Sequence, residues 1–170
     1  MDLHPEAAES LSQLKQILDQ AGANYEILTH PGAVLTAEAG VKHGMGDLAE
    51  MAPTLILETE KGYLAAIISG ATRLSFKKIK KSLGLKNISL ARPEIVLRET
   101  GAQVGSVSLV NPNLPTILDT RLEQFPVVFG GCGVPQHTLR ISPADLIAVT
   151  RAKVFDFSEP KEETAQAASV

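Results

Sequence analysis

Apolar residues recur at helical spacing from Glu6 to Ala21. Ala7, Leu11, Leu14, Ile17, Leu18 and Ala21 form one stripe, and Gly22 ends the run. Tyr25-Glu26-Ile27-Leu28 then reads as a short strand before a His30-Pro31-Gly32 turn. Thr36 is placed to cap a short helix running to about His43. Two apolar runs, Thr54 to Thr59 and Tyr63 to Ile68, flank Glu60-Lys61-Gly62 and predict a hairpin. Their nearly unbroken apolar character predicts strands buried on both faces. Ser75 is an N-cap candidate for a helix with Phe76, Ile79 and Leu83 inward, four lysines outward, and Gly84 at its end. Asn87 to Leu90 reads as a strand, and Pro93 opens a helix that reaches Gly101. Strands are expected at Val104 to Val110, Thr116 to Asp119, Val127 to Gly130 and Thr138 to Ile141. Ser142-Pro143 opens a last helix through Ala148, and Lys153 to Phe157 reads as an edge strand. Helices mixed with strands predict an α/β (α+β) single domain with a mixed, largely buried central sheet.

Composition narrows this picture. The 170 residues are 44% hydrophobic and 21% charged, which suits one folded domain. We expect that domain to span residues 1–157 and a polar, disordered tail to occupy 158–170. Cys132 is the single cysteine, so no disulfide or cysteine-based zinc cluster can form within the chain. No apolar run approaches the roughly 18 residues of a membrane span. The first residues carry neither a basic start nor an apolar signal core, so a cytoplasmic location is expected.

Charge is unevenly distributed. No acidic residue lies between Glu60 and Glu94, whereas that stretch holds Lys61, Arg73, Lys77, Lys78, Lys80, Lys81, Lys86 and Arg92. The other eight basic residues share the rest of the chain with all 19 acidic ones. Such asymmetry is either a docking surface for a polyanion or a solvated lysine-rich helix face.

Motifs exclude several chemistries. The chain has no Walker loop, dinucleotide fingerprint, Gly-x-Ser-x-Gly elbow or His-Glu-x-x-His pair. His4, His30, His43 and His137 show no ligand spacing, so neither a metal nor a cofactor is expected. Cys132 and His137 could form a thiolate–imidazole pair, although a lone cysteine in a glycine turn is more often a small packing residue. Gly101 and Gly105 bracket a turn whose N–H groups could approach a ligand oxygen, or serve only as a cap and a bulge.

Several segments, taken in order, carry a resemblance. They are Phe76-Lys77-Lys78-Ile79-Lys80-Lys81-Ser82-Leu83-Gly84, Ala91-Arg92-Pro93-Glu94, Thr100-Gly101 with Gly105-Ser106-Val107-Ser108, Thr116-Ile117-Leu118-Asp119, Gly130-Gly131, and Leu139 to Leu146. Over roughly residues 10 to 155 the chain resembles the YbaK/prolyl-tRNA-synthetase-associated domain family. That resemblance implies a curved mixed β-sheet with helices packed outside, and an aminoacyl-tRNA deacylase that hydrolyses mischarged tRNA. It also implies a small pocket beside a Gly-x-x-x-Pro loop, served by a lysine, backbone N–H groups and an ordered water.

The chain departs from that pattern at two positions. The lysine that precedes Thr-Leu in the family is Pro53 here, which offers neither charge nor N–H. Leu109 stands where the loop proline is usual. Lys42 is the candidate substitute, against the simpler reading of an exposed helix lysine. Losing one charge-assisted donor from a preorganised site costs about a hundredfold in rate.

Two readings follow from the resemblance and the residues together. In the first, the chain is a trans-acting deacylase of the prolyl-tRNA editing type with an altered site. Gly105 and Ser106 would then supply backbone oxyanion donors, and Thr54, Ser69, Gly70, Gly131 and His137 would line or rim the pocket. Arg73, Lys77, Lys78, Lys80, Lys81 and Lys86 would grip the acceptor end of an aminoacylated tRNA. In the second, the same surfaces only bind an aminoacyl-tRNA end or an amino-acid-like ligand. Both readings require the lysines and the Gly105 bend to share one side of the sheet.

Overall fold

A computed structural model describes residues 5–161. Its elements are α1 (Pro5–Gln20), β1 (Tyr25–Thr29), α2 (Ala37–Lys42), β2 (Thr54–Thr59), β3 (Gly62–Ile67), β4 (Thr72–Leu74), α3 (Phe76–Leu83), β5 (Ile88–Leu90) and α4 (Pro93–Thr100). Then come β6 (Thr116–Asp119), β7 (Val128–Gly131), β8 (His137–Ile141), α5 (Pro143–Thr150), β9 (Lys153–Phe155) and β10 (Ser158–Pro160). Short 3-10 turns lie at Leu48–Glu50 and Thr120–Gln124.

Local chemistry accounts for most of the helix ends. The hydroxyls of Thr36, Ser75 and Ser142 accept from the N–H of Ala39, Lys78 and Asp145, satisfying donors that a first turn leaves open. Leu11, Leu14 and Leu18 bury the apolar stripe of α1. The last helix runs two residues beyond the expected Ala148 and closes on Arg151 with φ 55.

Strands β5-β2-β3-β6-β9 form a mixed five-stranded sheet, in which β3–β6 and β6–β9 are parallel and the other pairs antiparallel. Strands β1-β8-β7 form an antiparallel sheet. A bridge between Met51 and Phe129, with Ala52 N–H donating to Phe129 O at 2.7 Å, stitches the chain entering β2 to β7. The mixed architecture is therefore as expected, but among the described residues it is distributed over three hydrogen-bonded sheets, the third being β10-β4.

Alternation along β2 and β3 sorts the helices. Ile56 and Ala65 pack with Ile95 and Val96 of α4 and with Val107. Leu57, Leu64, Ala66 and Ile68 pack instead with Ile79 of α3, Ile117 and Phe157. Successive strand residues point to opposite faces, so α3 and the Gly105 segment lie on opposite faces of this sheet. The largest core joins α1 and α5 to β1, β7 and β8 through Leu14, Leu18, Leu139, Ile141 and Leu146.

Two expectations are corrected. Val104 to Val110 is a loop and not a strand. Gly105 takes φ 93, the Ser106 N–H and Oγ both donate to Gln103 O, and Ser108 Oγ accepts from Val110 N–H. Side-chain and turn bonds thus take up backbone positions that a ladder would need. Ser158–Pro160, expected at the start of a disordered tail, is strand β10 paired to β4, with Ser158 fully buried. Buried Asp119 accepts from Phe157 N–H at 2.8 Å and from Arg121 N–H at 2.9 Å, which anchors this segment. The rest of the expected tail, residues 162–170, lies outside the described residues.

Candidate functional site

A cavity of about 190 Å³ opens where the start of β2, helix α2, the 104–107 loop and the ends of β7 and β8 converge. That is many times the roughly 10–15 Å³ one water requires, so the space is ligand-sized. Val34, Leu35, Ala37, Met45, Met51, Ala52, Pro53, Leu55 and Phe129 make most of its wall. Thr54, Gly105, Ser106, Gly131, His137 and Thr138 supply the polar or open positions. Among the described residues, no Lys, Arg, Asp or Glu lines it.

Close backbone approach shapes the opening. A Cβ on Gly105 would press on the Leu35 carbonyl, and one on Gly131 would run into the Val107 carbonyl. Leu109 N–H donates to Gly131 O at 2.9 Å, and Gly133 N–H donates to Ser106 O at 2.9 Å. These two bonds moor the 104–109 loop against the end of β7.

Two side-chain polar atoms stand out. Thr54 Oγ1 and His137 Nδ1 are buried without a hydrogen-bond partner among the described residues, and both belong to cavity-lining residues. Unsatisfied buried groups cost free energy, so they mark where a ligand or water would bind. Burial first, then Lys15, holds His137 below the ordinary histidine range, so its ring is neutral at pH 7.

Several expected site residues fall elsewhere. Ser69 and Gly70 sit behind the wall: Ser69 Oγ donates to Ala49 O at 2.7 Å and Gly70 N–H donates to Met51 O at 2.7 Å. They brace the turn carrying Met51 and are not part of the lining. Lys42 is exposed near the end of α2 and is also outside the lining. The Ser106 N–H is spent on Gln103 O at 3.0 Å, so it is not an open oxyanion donor. The N–H groups of Gly105 and Val107 have no acceptor among the described residues.

Cys132 lines a different cavity, with Ser108, Asn111 and Gly133, and burial pushes its thiol up to about 11. A Cys132–His137 catalytic pair is therefore unsupported.

The lysine ridge also differs from expectation. Because α3 packs on the far face of the β2–β3 sheet, Lys77, Lys80 and Lys81 do not share a side with Gly105. Lys78 Nζ donates to Asp156 at 3.1 Å and to Ser158 O at 2.9 Å, which makes it a fastening for β10. Arg73 pairs with Glu159 at 3.5 Å. Lys86 is exposed just beyond α3.

The sequence reading missed His30 and Thr138. His30 Nε2 lies 2.8 Å from Thr138 Oγ1, and the His30 and His43 rings are 5.1 Å apart. The His-Pro-Gly string was legible only as a turn, because its partner is 108 positions away. Among the described residues, no group of three or more His, Cys, Asp or Glu is arranged to hold a metal ion, and no helix is long and apolar enough to cross a membrane.

Comparison with known proteins adds to this geometry. The chain is 25% identical over 117 residues to a proline–tRNA ligase of Thermosipho melanesiensis, covering 68% of this chain and 21% of the ligase, so it spans about a fifth of that protein's length. It is 28% identical over 111 residues to the uncharacterized protein YwhH of Bacillus subtilis, covering 64% of this chain and 70% of that one. A solved structure described as "a putative trans-editing enzyme for prolyl tRNA synthetase" superposes with a TM-score of 0.81 at 28% identity, covering 93% of this chain and 99% of the other. The structure of hypothetical protein APE2540 superposes with a TM-score of 0.79 at 31% identity, covering 86% and 99%. A family model described as "Aminoacyl-tRNA editing domain" matches residues 30–149. Since that match runs from the His30 turn into α5 and takes in every strand bordering the cavity, the chain belongs to the aminoacyl-tRNA editing domain family.

Proposed function

We propose that the chain is a trans-acting deacylase that hydrolyses the ester of a mischarged aminoacyl-tRNA, of the kind that serves prolyl-tRNA editing. The observation that carries this reading is the pair of unpartnered buried atoms, Thr54 Oγ1 and His137 Nδ1, on residues that line a mostly apolar cavity without a charged side chain among the described residues. Apolar walls suit a small amino-acid side chain, and the polar atoms suit the ester and a water. Family membership and the described trans-editing neighbour support the same chemistry.

In this mechanism water attacks the ester carbonyl carbon and gives its proton to neutral His137 at Nδ1. The N–H groups of Gly105 and Val107 meet the oxyanion. The carbon–oxygen bond to the tRNA then breaks, and the ribose oxygen leaves with the proton returned from His137. Thr54 Oγ1 orients the water. An aminoacyl ester is already activated, so positioning supplies much of the acceleration even without the family lysine.

Lys77, Lys80, Lys81 and Lys86 stand away from the cavity mouth. The requirement that these lysines share a side with the Gly105 bend is therefore not met, so the proposal rests on the cavity alone and leaves the lysines to phosphates away from the ester. Such contacts weaken steeply with salt.

Incubation with a panel of mischarged tRNAs tests the proposal: at least one loses its amino acid faster than in buffer, and Thr54→Val slows that loss about tenfold. Loss no faster than in buffer for every member rejects hydrolysis. Pro53 and the absence of lining charge favour a second reading, a binding module without turnover. Pro53→Lys separates the two readings. A large gain from a negligible wild-type rate identifies a disarmed pocket, whereas a modest change on an active wild type supports the lysine-free mechanism.

A further inference from the structure

His30 touches Thr138, and Thr138 borders the cavity. In the β7–β8 pairing, Thr138 stands opposite Gly131, and Phe129 lies two residues away on the same face; both line the cavity. The backbone of Val107 fills the space beside Gly131, and Thr138 is buried in the cavity wall. A threonine hydroxyl has one proton and two lone pairs, and the only bond formed by this one among the described residues is to His30. His30 is itself held in place, since its N–H donates to Gln136 O at 2.8 Å.

This geometry links the protonation of one histidine to the polarity of a cavity wall. With a bare Nε2, His30 takes the Thr138 proton and leaves oxygen lone pairs toward the cavity. With a proton on Nε2, His30 donates instead, and the hydroxyl proton is free to point inward. An aminoacyl ester carries an α-ammonium group that can only donate. Among the described residues no carboxylate lines the cavity, so its acceptors are side-chain hydroxyls, backbone carbonyls and the neutral His137 ring, which the deacylase reading reserves for the water.

We propose that His30 is a positioning residue that holds the Thr138 hydroxyl as an acceptor for the α-ammonium of the aminoacyl group. This rests on the deacylase reading for its ligand, but not on turnover. Burial, with His43 and His137 nearby, holds His30 below the ordinary histidine range, so its ring is uncharged at neutral pH, and in the Nδ1–H tautomer that the proposal assigns it accepts from Thr138. Acid charges His30, reverses the hydroxyl and weakens ammonium binding. The titratable groups acting on His30 are His43 at the end of α2 and His137 on β8; Lys15 of α1 acts on His137.

The test uses the full chain and a non-hydrolysable probe, an amide-linked aminoacyl adenosine with a free α-amine, titrated calorimetrically between pH 7 and pH 5. Wild-type affinity falls about tenfold across that range. Thr138→Val binds about tenfold more weakly at pH 7 and loses most of the pH dependence. Thr138→Ser restores both, and His30→Gln flattens the profile while the chain stays folded. If Thr138→Val keeps the full wild-type slope, the dependence belongs to His137 and the proposal falls. A flat wild-type profile with measurable binding also overturns it. Failure of every mischarged tRNA to lose its amino acid would reject the deacylase reading without touching this result.

Discussion

The two faces of the β2–β3 sheet carry opposite chemistry. Beside Ile56 and Ala65, packing continues through Val107 into the loop that closes an uncharged cavity. Beside Leu57 and Leu64 lies α3, with Ile79 buried and lysines outward. The charged face is conspicuous in the sequence, yet Thr54, whose buried hydroxyl has no partner among the described residues, lies on the quiet one with Ile56. A dense run of charge in one helix shows which side of that helix meets water. It does not show where the reactive groups gather. Part of the charge is also structural: Lys78 and Arg121 both reach Asp156, and buried Asp119 receives the N–H groups of Phe157 and Arg121.

The sharpest way to break the contrast is to unfasten the lysine side alone. Asp119→Ala removes a fully buried carboxylate and strands the N–H of Phe157, and it should cost about 3 kcal/mol in a denaturant titration. Because the carboxylate lies away from the cavity lining, binding of the aminoacyl adenosine probe by the folded fraction should be preserved.

The complementary change strikes the cavity. Gly131→Ala drives a methyl into the Val107 carbonyl and displaces the loop that carries the Gly105 N–H. About 2 kcal/mol of stability should be lost, together with most of the deacylation measured on a responsive tRNA.

A smaller effect is expected from Lys77, Lys80, Lys81 and Lys86 changed together to Gln. Affinity for tRNA should fall at low salt, and the slope of log affinity against log salt should drop by about one for every phosphate no longer neutralised. The rate at saturating tRNA should stay the same. A drop in that rate equal to the loss of affinity would mean that the lysines act at the ester after all.

The mildest test is acid. His30 and His137 have lowered pKa values through burial, so their contribution to stability is complete above roughly pH 6.5 and is lost as pH falls toward their folded values. Asp156 is lowered chiefly by its bond to Arg121, so its contribution persists until pH falls below roughly 4. In an NMR titration, resonances around β8 should therefore move before those around Phe157. The reverse order would contradict this assignment of the two sides.

Much of the local structure was legible before any coordinates. The capping hydroxyls of Thr36, Ser75 and Ser142 act between residues three apart, and the β2–β3 hairpin closes over a short turn. Such features depend on neighbours in the chain, so residue type and spacing suffice to find them. Thr54, Gly105, Gly131 and His137, singled out by type and placement, border the cavity, while their part in any chemistry belongs to the proposal. The 104–110 segment misled because alternating apolar residues look like a strand whether a partner strand or their own turn takes up the backbone.

By itself, the sequence determined the mixed architecture, most helix starts and the family, because periodicity and caps are properties of nearby residues and motif order is carried along the chain. Tertiary structure alone decided that the lysines turn away from the cavity, that Ser158–Pro160 is a strand, and that His30 meets Thr138. Each of these depends on which face of a strand a side chain takes, or on a contact between residues far apart in the chain. Only packing of the whole chain settles such matters.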